Sequence, residues 1–292
     1  MEMRTLIDTA TLARHLDDPD WLVVDVRHQL TDPSAGRRAY LDGHIPGAFF
    51  LHLDVDLSGA KTGSNGRHPL PTAAAFGRTL RRIGLDEGKT VVIYDDAGGM
   101  FAARMWWMLR WVGFFGGAVL DGGWSKWQRE RRLVSYTEPP PSASDFHGFA
   151  QGQAWVDADF VAQHLQTPDM LLVDARSPDR FAGDNETLDP VGGHIPGALN
   201  RFFQSNLEPS GCFLSPGQLR AAFRELLGDI DPRLVVHQCG SGVTACHNLL
   251  AMELAGMHGS RLYPGSWSEW CSDPARPIAG KGGVDSPCDK RE

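Results

Sequence analysis

The hexapeptide GHIPGA occupies residues 43–48 and returns unchanged at residues 193–198. Three further segments repeat around it in the same order: LVVDVR at 22–27 returns as LLVDAR at 171–176, VVIYD at 91–95 as VVHQC at 235–239, and DGGWSKW at 121–127 as PGSWSEW at 264–270. The repeated unit is about half of the chain, which is far longer than a solenoid repeat. The pattern therefore indicates the duplication of a whole domain.

Each copy alternates short apolar runs with amphipathic segments. The runs LVVDV, TVVIYD, MLLVDA and RLVVHQ have the length and β-branched content of buried strands. Residues 73–83 and 216–227 instead repeat apolar residues at three- and four-residue spacing, as helices do. This alternation predicts an α/β fold in which each domain has a mostly parallel sheet flanked by helices. A linker rich in Pro, Ser and Gly, residues 137–153, would separate an N-terminal domain (1–136) from a C-terminal domain (154–292).

Composition and charge exclude several classes of function. The 292 residues are enough for two domains with a core each. The formal net charge of −8 disfavours a nucleic-acid partner. No apolar run reaches the roughly 18 residues that a membrane span needs, and the start of the chain, MEMRTLIDTATLARHLDD, lacks the apolar core of an export signal. We therefore expect a cytoplasmic protein. A monomer is favoured, but the sequence leaves the oligomeric state open.

The five cysteines all lie in the C-terminal third and form no CxxC pair. This distribution argues against a disulfide framework and against a zinc site. Cys239 is distinguished by its context, because it ends the strand LVVHQ and opens the segment CGSGVTACHNLLAMELAGM. Cys246 shares the apolar stripe of the following helix, which favours a core role. The other three lie in polar, loop-like sequence: Cys212, Cys271 and Cys288.

The loop after Cys239 has the composition of an anion-binding turn. Gly240 and Gly242 permit positive φ and a close approach of the backbone to a bound atom. Such a turn aims successive N–H groups inward, and the helix that follows adds its own unpaired donors, so a thiolate would be favoured there. Ser241 could hydrogen-bond the thiolate or a substrate, or serve only as a turn residue. For Thr244, capping of the helix is favoured over a substrate contact.

These motifs together resemble the tandem rhodanese family, which includes thiosulfate sulfurtransferase and 3-mercaptopyruvate sulfurtransferase. The resemblance covers nearly the whole chain and rests on both GHIPGA segments, the DxR strand ends, the paired GxWxxW segments and the loop CGSGVT. It implies two copies of one α/β fold, with the reactive cysteine in the C-terminal copy. Asp95 occupies the position of Cys239 in the first copy. That copy is therefore expected to be catalytically silent and to form one wall of the active-site cleft.

The loop CGSGVT resembles the mercaptopyruvate branch of the family. In that branch the cysteine works with the loop serine and with an aspartate and a histidine of the first domain. Matched outward from GHIPGA, these positions are Ser241, Asp54 in LHLDVD and His68 in GRHPLP. Without the resemblance, Asp54 and His68 would be interpreted as solvated loop residues.

The resemblance also implies a site for the substrate carboxylate. Arg180 in DRFAGD matches the arginine that binds this group, and its planar fork suits a carboxylate. A second arginine of the mercaptopyruvate branch is replaced by Asp189, which would repel an anionic substrate, and Arg201 is a nearby candidate to substitute. The arginines of the two DxR pairs, Arg27 and Arg176, are instead expected to tie a loop to a strand end.

The pattern as a whole predicts a sulfurtransferase that works in two stages. Cys239 would take a sulfur from 3-mercaptopyruvate, or from thiosulfate as the alternative donor, and hold it as a persulfide. Backbone donors of the loop would stabilise the terminal sulfur: Gly240, Gly242, Val243 and Thr244. A thiol acceptor such as thioredoxin, or cyanide, would then remove it, and no metal or organic cofactor is required.

Two other functions share parts of this pattern. Cysteine phosphatases use a similar strand–loop–helix cradle but require an arginine six residues after the cysteine, where this chain has Ala245. A persulfide carrier or regulatory module would have the same loop and cleft as an enzyme. The sequence leaves that second alternative open.

Overall fold

The computed structural model describes residues 5–140 and 142–280. In the first half, strands β1–β5 span Leu6–Ile7, Trp21–Asp25, Phe49–Phe50, Thr90–Tyr94 and Gly117–Leu120. Helices α1–α5 span Thr9–Arg14, Ala35–Leu41, Ala73–Arg82, Met100–Trp111 and Gly123–Arg129. Among the helices in this described part of the chain, none combines the length and the apolarity that crossing a bilayer requires.

The second half repeats the same plan. Strands β6–β9 span Leu171–Asp174, Leu199–Asn200, Val235–Gln238 and Arg261–Leu262. Helices α6–α10 span Ala158–Gln163, Pro178–Ala182, Pro216–Leu227, Thr244–Leu254 and Ser266–Trp270, and two short 3-10 helices span Phe203–Asn206 and Pro232–Leu234. All four apolar runs and both amphipathic segments that the sequence singled out form the predicted strands and helices.

Within the described residues, each domain has one parallel sheet. The first has the order β1-β5-β4-β2-β3 and the second the order β7-β6-β8-β9. In the second domain the counterpart of β1 is reduced to a bridge between Trp155 and Leu262. The strands β4 and β8 are central in their sheets, and their carboxyl ends carry Asp95 and Cys239. The predicted α/β fold of two sheet-and-helix domains is confirmed.

Helices α4 and α9 join the two domains. They pack against each other, and a single apolar cluster runs from one domain into the other. Helix α4 buries residues on every side, including Trp106, Trp107 and Trp111. A helix that is apolar all round is stable only when it is enclosed, here by its own sheet and by the other domain. The loops that precede α4 and α9 therefore meet at the contact between the domains.

The DxR motifs tie two repeated segments together in each domain, as predicted. Arg176 donates from Nε and Nη2 to the carboxylate of Asp174 and from Nη2 to the carbonyl of Gly193 at 2.7 Å. In the first domain, Arg27 does the same with Asp25 and the carbonyl of Gly43, also at 2.7 Å. The GHIPGA segments are thereby fixed to the strand ends next to the site.

In the stretch predicted as a linker, residues 137–153, the described residues (137–140 and 142–153) run mostly exposed over the surface. Phe146 is its buried anchor, at 5% exposure, and its ring meets that of Phe114 edge to face at 5.9 Å. Phe149, three residues later, is 76% exposed. The domain boundaries on either side of this stretch stay predictions.

We predict that Phe146→Ala lowers the free energy of unfolding by about 3 kcal/mol, because the substitution empties a buried aromatic site. Urea denaturation followed by tryptophan fluorescence measures the change. The matched control is Phe149→Ala, which removes an exposed ring and should stay within about 0.5 kcal/mol of the wild type. Equal effects of the two substitutions would contradict the buried anchor.

Two core histidines that lack carboxylate partners among the described residues have strongly lowered pKa values. Burial lowers the pKa of His237 in β8 to about 3 and that of His247 in α9 to about 4. His247 is nevertheless hydrogen-bonded across the domain contact, since its Nε2 lies 3.0 Å from the carbonyl of Gly98. Both rings are therefore neutral in the folded protein near neutral pH.

We predict that stability falls as the pH drops below about 6.5. The unfolded chain binds protons at these histidines near pH 6.5, whereas the folded state resists protonation down to about pH 4, so the loss is about 2 kcal/mol per histidine between pH 7 and pH 5. Urea denaturation across this range measures it. His237→Leu should remove about 2 kcal/mol of this pH dependence and leave the part that His247 contributes, whereas His258→Gln, which removes an exposed imidazole, should leave it unchanged. A flat profile in the wild type would refute the prediction.

Candidate active site

Cys239 lies at the carboxyl end of β8, in the loop before α9. The residue is 1% exposed. Its backbone N–H donates to Oγ of Ser266 at 3.1 Å, and its carbonyl accepts from the N–H of Trp267 at 2.9 Å. The repeated segment PGSWSEW therefore holds the backbone of this cysteine in place.

The loop that follows Cys239 presents unpaired backbone donors. Within the described residues, the N–H groups of residues 240–244 have no hydrogen-bond partner. Gly242 has φ +75, and a Cβ there would lie 2.4 Å from the carbonyl oxygen of Pro264, so this position requires glycine. The donors and the start of α9 together form a cradle for an anion.

Thr244 does not cap α9, which corrects the expectation from the sequence. The capping position is Val243, with αR backbone angles and no side-chain hydrogen bond to the helix. Thr244 is the first helical residue, and its side chain is half-buried. The tight loop reaches the helix one residue earlier than the sequence suggested, so the first turn keeps its free donors.

The first domain shows what this cradle can hold. Asp95 occupies the position in the first domain that Cys239 occupies in the second. The carbonyl of Asp95 accepts a hydrogen bond from the N–H of Trp124 at 2.8 Å, just as the carbonyl of Cys239 accepts one from the N–H of Trp267. Its buried carboxylate accepts four backbone N–H bonds of 2.8–2.9 Å, from Ala97, Gly99, Phe101 and Ala102. Burial raises the pKa of Asp95, and these four bonds oppose that shift. The first domain thus fills its own cradle with an anion.

Ser241 and His68 meet beside Cys239 although they come from different domains. His68 Nδ1 lies 2.8 Å from Ser241 Oγ, and both residues are buried. His68 Nε2 lies 3.7 Å from an oxygen of Asp54. The structure therefore brings together the serine, the histidine and the aspartate that the resemblance implied.

The ring of His68 is neutral near pH 7. Burial lowers its pKa well below the ordinary value, and Asp54 opposes the shift without reversing it. With Asp54 facing Nε2, the favoured tautomer carries its proton on Nε2, so Nδ1 accepts from the Ser241 hydroxyl. The pair is arranged to pass a proton from the serine to the histidine or back.

Asp54 is held by other groups as well. Lys61 donates to it at 2.9 Å, and His28 Nε2 lies 3.8 Å away. Burial opposes ionisation of Asp54, but the hydrogen bond from Lys61 and the charges nearby lower its pKa overall.

The ligand atoms of His28, His52 and Asp54 lie within 4.8 Å of one another, yet both ring nitrogens of His52 already have backbone partners. This group is therefore poorly suited to a metal ion.

Arg180 lies over the loop but is bound to two acids. It donates to both oxygens of Glu186 at 2.8–3.1 Å and to Asp189 at 3.4 Å. Arg67, which the sequence analysis did not assign, donates to the same Asp189. Two features of the sequence could have indicated the pair of Arg67 and Asp189. Arg67 directly precedes His68, and Asp189 stands where the family resemblance implies an arginine.

Arg201 does not join this cluster. Its guanidinium lies 4.5 Å from the ring centre of Phe223 and donates to Asn206 at 2.9 Å. The expectation that Arg201 substitutes for the missing arginine is therefore not supported by its position, because its side chain packs against helix α8.

Arg104 in α4 is a second residue that the sequence analysis missed. It is fully buried, and it donates to the carbonyls of Gly242 at 3.1 Å and His68 at 3.2 Å. Among the described residues it forms no salt bridge, and burial lowers its pKa. An arginine in the middle of an apolar helix was the available signal. Arg104 holds the Cys239 loop and the His68 loop against each other.

The remaining cysteines differ from Cys239 in their surroundings. Burial raises the pKa of Cys246 to about 12 and that of Cys271 to about 11. The core position of Cys246 is as predicted, whereas Cys271 is buried at the end of α10 and not in a polar loop. Cys212 is half-buried, and Cys288 lies outside the described residues.

Comparison with known proteins agrees with this geometry. The profile of the Rhodanese-like domain matches residues 8–130 and again residues 157–273. A probable 3-mercaptopyruvate sulfurtransferase of Pseudomonas aeruginosa is 45% identical, over 96% of this chain and 99% of that protein. The thiosulfate sulfurtransferase of Rattus norvegicus is 33% identical, over 91% of this chain and 92% of that protein.

Solved structures agree as well. The 3-mercaptopyruvate sulfurtransferase from Leishmania major superposes with a TM-score of 0.83 at 29% identity, covering 92% of this chain and 75% of that one. The family profile matches both domains, the relatives are similar over nearly their whole length, and the solved structure has the same fold. The chain belongs to the rhodanese family, as a sulfurtransferase with two tandem rhodanese-like domains.

Proposed function

We propose that the protein moves sulfane sulfur from 3-mercaptopyruvate to a thiol or cyanide acceptor through a persulfide on Cys239. The observation that carries the proposal is the cradle beside this cysteine. Its N–H groups at residues 240–244 are unpaired within the described chain, whereas Asp95 fills the equivalent cradle of the first domain. A persulfide places a negatively charged sulfur one bond beyond Sγ, where such donors stabilise it.

In the first stage, the Cys239 thiolate attacks the sulfur of 3-mercaptopyruvate. A sulfur–sulfur bond forms and the carbon–sulfur bond breaks, with its electron pair passing to the pyruvate enolate. The enolate carbon must then gain a proton, which the thiol group of the substrate supplies. The products of this stage are pyruvate and the Cys239 persulfide anion.

Ser241 and His68 are placed to move that proton. The neutral imidazole accepts from the Ser241 hydroxyl at 2.8 Å, so Ser241 can take the substrate proton as it gives up its own. Asp54 faces the opposite nitrogen of His68 and stabilises the ring if it becomes charged. The relay links the substrate thiol to the carbon that needs the proton.

Thiosulfate is the second candidate donor. Similarity to the rat thiosulfate sulfurtransferase favours it, as do the two guanidinium groups near the loop, which suit an oxyanion. When thiosulfate donates, however, sulfite leaves with the electron pair and needs no proton. The relay of Ser241, His68 and Asp54 has a task with 3-mercaptopyruvate and none with thiosulfate, which favours the former.

In the second stage, an acceptor thiolate or cyanide attacks the outer sulfur of the persulfide, and the Cys239 thiolate leaves. A thiol acceptor becomes a persulfide itself, and cyanide becomes thiocyanate. Thioredoxin is the protein acceptor that we propose, in the cytoplasm, with the enzyme acting as a monomer. A persulfide carrier that hands its sulfur to one partner protein is the non-enzymatic alternative.

We predict that Cys239→Ser abolishes thiocyanate formation from cyanide with either donor, because the hydroxyl cannot hold a transferable sulfur. Steady-state thiocyanate assays measure turnover, and intact-mass spectrometry of the donor-treated protein detects the added sulfur atom. Cys212→Ser, at a half-buried cysteine, is the matched control and should retain both activity and the added sulfur.

Persistence of the added sulfur in the Cys239→Ser variant would rule out Cys239 as its carrier. If the wild-type protein gains the sulfur but turns over neither donor, the carrier alternative replaces the enzyme. A stronger turnover with thiosulfate than with 3-mercaptopyruvate would reverse the choice of donor.

We predict that Ser241→Ala and His68→Gln lower kcat with 3-mercaptopyruvate by about 100-fold or more, because each breaks the proton relay. With thiosulfate the same variants should lose less than about threefold, since no proton is required. The ratio of the two donor activities is the measurement, so a general loss of folding cancels.

Ser272→Ala is the control for this prediction, because that exposed hydroxyl donates to the carbonyl of Glu269. It should leave both activities at the wild-type level. Equal losses with the two donors in the Ser241 and His68 variants would show that these side chains support the loop and do not transfer a proton.

A further inference from the structure

Arg104 carries a positive charge into the apolar contact between the domains. The residue lies in α4 and is fully buried, as are its neighbours Ala103 and Met105. A guanidinium stays protonated in proteins. Because taking a charge out of water costs free energy, a buried guanidinium is normally paired with an acid. Arg104 is therefore expected to have an anionic partner.

The groups that contact Arg104 are neutral. It donates from Nη1 to the carbonyl of Gly242 at 3.1 Å and from Nη2 to the carbonyl of His68 at 3.2 Å. Its Nε is buried and has no hydrogen-bond partner within the described residues. The thiol of Cys246 also lies beside the guanidinium, but burial raises the pKa of this thiol to about 12, so it stays neutral. The carbonyl dipoles offset only part of the charge on Arg104.

The other cations near Cys239 and His68 have acids of their own. Among the described residues these pairs are Arg67 with Asp189, Arg176 with Asp174 and Glu186, Arg180 with Glu186 and Asp189, and Lys61 with Asp54. An acid that is already bound reduces what such a cation offers to a further anion. Arg104 forms no salt bridge within the described part of the chain, so among these cations its charge is uncompensated.

Cys239 is the neighbour of Arg104 that becomes anionic in the proposed reaction. Burial lowers the pKa of Arg104, whereas charge on Cys246 and on Cys239 opposes that shift. Cys239 is 1% exposed, so little water screens its interaction with the guanidinium. Its sulfur is charged as a thiolate before the donor reacts and as a persulfide anion afterwards. The neutral thiol, in contrast, leaves Arg104 without a counter-ion.

We propose that Arg104 is the counter-ion of the anionic sulfur on Cys239, stabilising both the thiolate and the persulfide from helix α4. The proposal rests on the sulfurtransferase function set out above. The hydrogen bonds of Arg104 go to two backbone carbonyls and not to a reacting atom, so it is a positioning residue that acts through the loops and through its charge. The same charge favours departure of the Cys239 thiolate when an acceptor removes the sulfur.

The first test measures how readily Cys239 ionises. The rate at which iodoacetamide alkylates this residue is followed against pH by mass spectrometry of its peptide, because the thiolate is the reacting form. We expect Arg104→Gln to move the midpoint of this profile upward by about one pH unit, a tenfold change in the ionisation equilibrium. Arg104→Met, whose side chain suits the apolar helix, is a second neutral variant with the same expected shift. An unmoved midpoint in either variant would overturn the proposal.

Two further variants separate the charge of Arg104 from its hydrogen bonds. Arg104→Lys keeps a cation that can donate to a carbonyl, so its midpoint should move less than that of Arg104→Gln. Arg110→Gln removes a cation of the same helix that is already paired with Glu253 at 3.5 Å, and it should leave the midpoint unchanged. Equal shifts in Arg104→Gln and Arg104→Lys would show that the lost hydrogen bonds are responsible, and would refute the counter-ion role.

Steady-state kinetics give a second readout. With either donor, Arg104→Gln should lower kcat/KM at pH 7 by about tenfold, and the loss should shrink as the pH rises, because the thiolate then forms without its counter-ion. Both donors are affected, unlike in Ser241→Ala, since both must be attacked by the thiolate. A loss of the same size at every pH would indicate damage to the loop and contradict the proposal.

A double-mutant cycle tests the charge interaction without turnover. Cys239→Asp places a carboxylate in the loop, as Asp95 does in the first domain, and Cys239→Asn is its neutral counterpart. In urea denaturation, Arg104→Gln should lower the folding equilibrium constant of the Cys239→Asp protein by about tenfold more than that of the Cys239→Asn protein. If the wild type turns over neither donor while this difference persists, the proposed function fails and the ion pair stands. If the wild type turns over 3-mercaptopyruvate and the difference is absent, only the role of Arg104 fails.

Discussion

The buried pair of Asp174 and Arg176 is the interaction on which the site depends. Arg176 binds the strand end through Asp174 and the GHIPGA segment through the carbonyl of Gly193, and it lies 4.8 Å from the ring of Trp267. The N–H of Trp267 in turn donates to the carbonyl of Cys239. A buried ion pair is costly to desolvate, so its value here is positional: it joins four repeated segments around one strand end.

The same scaffold gives opposite results in the two domains. In the first, the carboxylate of Asp95 ends in the cradle and uses its donors, so the loop is closed to any other anion. In the second, the thiol of Cys239 is shorter and carries no oxygen, so the donors stay unpaired within the described chain. The two loops occupy the same place in the fold, but the first side chain and the residues that follow it differ, and only the second loop keeps unpaired donors within the described chain.

Local patterns predicted the local structure. The strands, the amphipathic helices, the DxR ties and the loop at Cys239 follow from short segments, because their contacts are set by neighbours in sequence or by the repeat. Thr244 was assigned wrongly as a cap since the loop geometry, not residue preference, sets where α9 begins. Asp54 and His68 came from the family resemblance, as nothing in their own loops requires a buried triad.

Arg67 and Arg104 escaped prediction because their partners belong to the other domain. Arg104 binds the carbonyl of Gly242 and Arg67 shares Asp189 with Arg180, contacts that exist only once α4 and α9 are packed together. This packing also gives the first domain a direct part in the site of the second. In a chain of net charge −8, an anionic donor is attracted only by cations placed locally. The first domain contributes two of these cations: Arg104, which binds the carbonyl of Gly242, and Arg67, which lies next to Gly240.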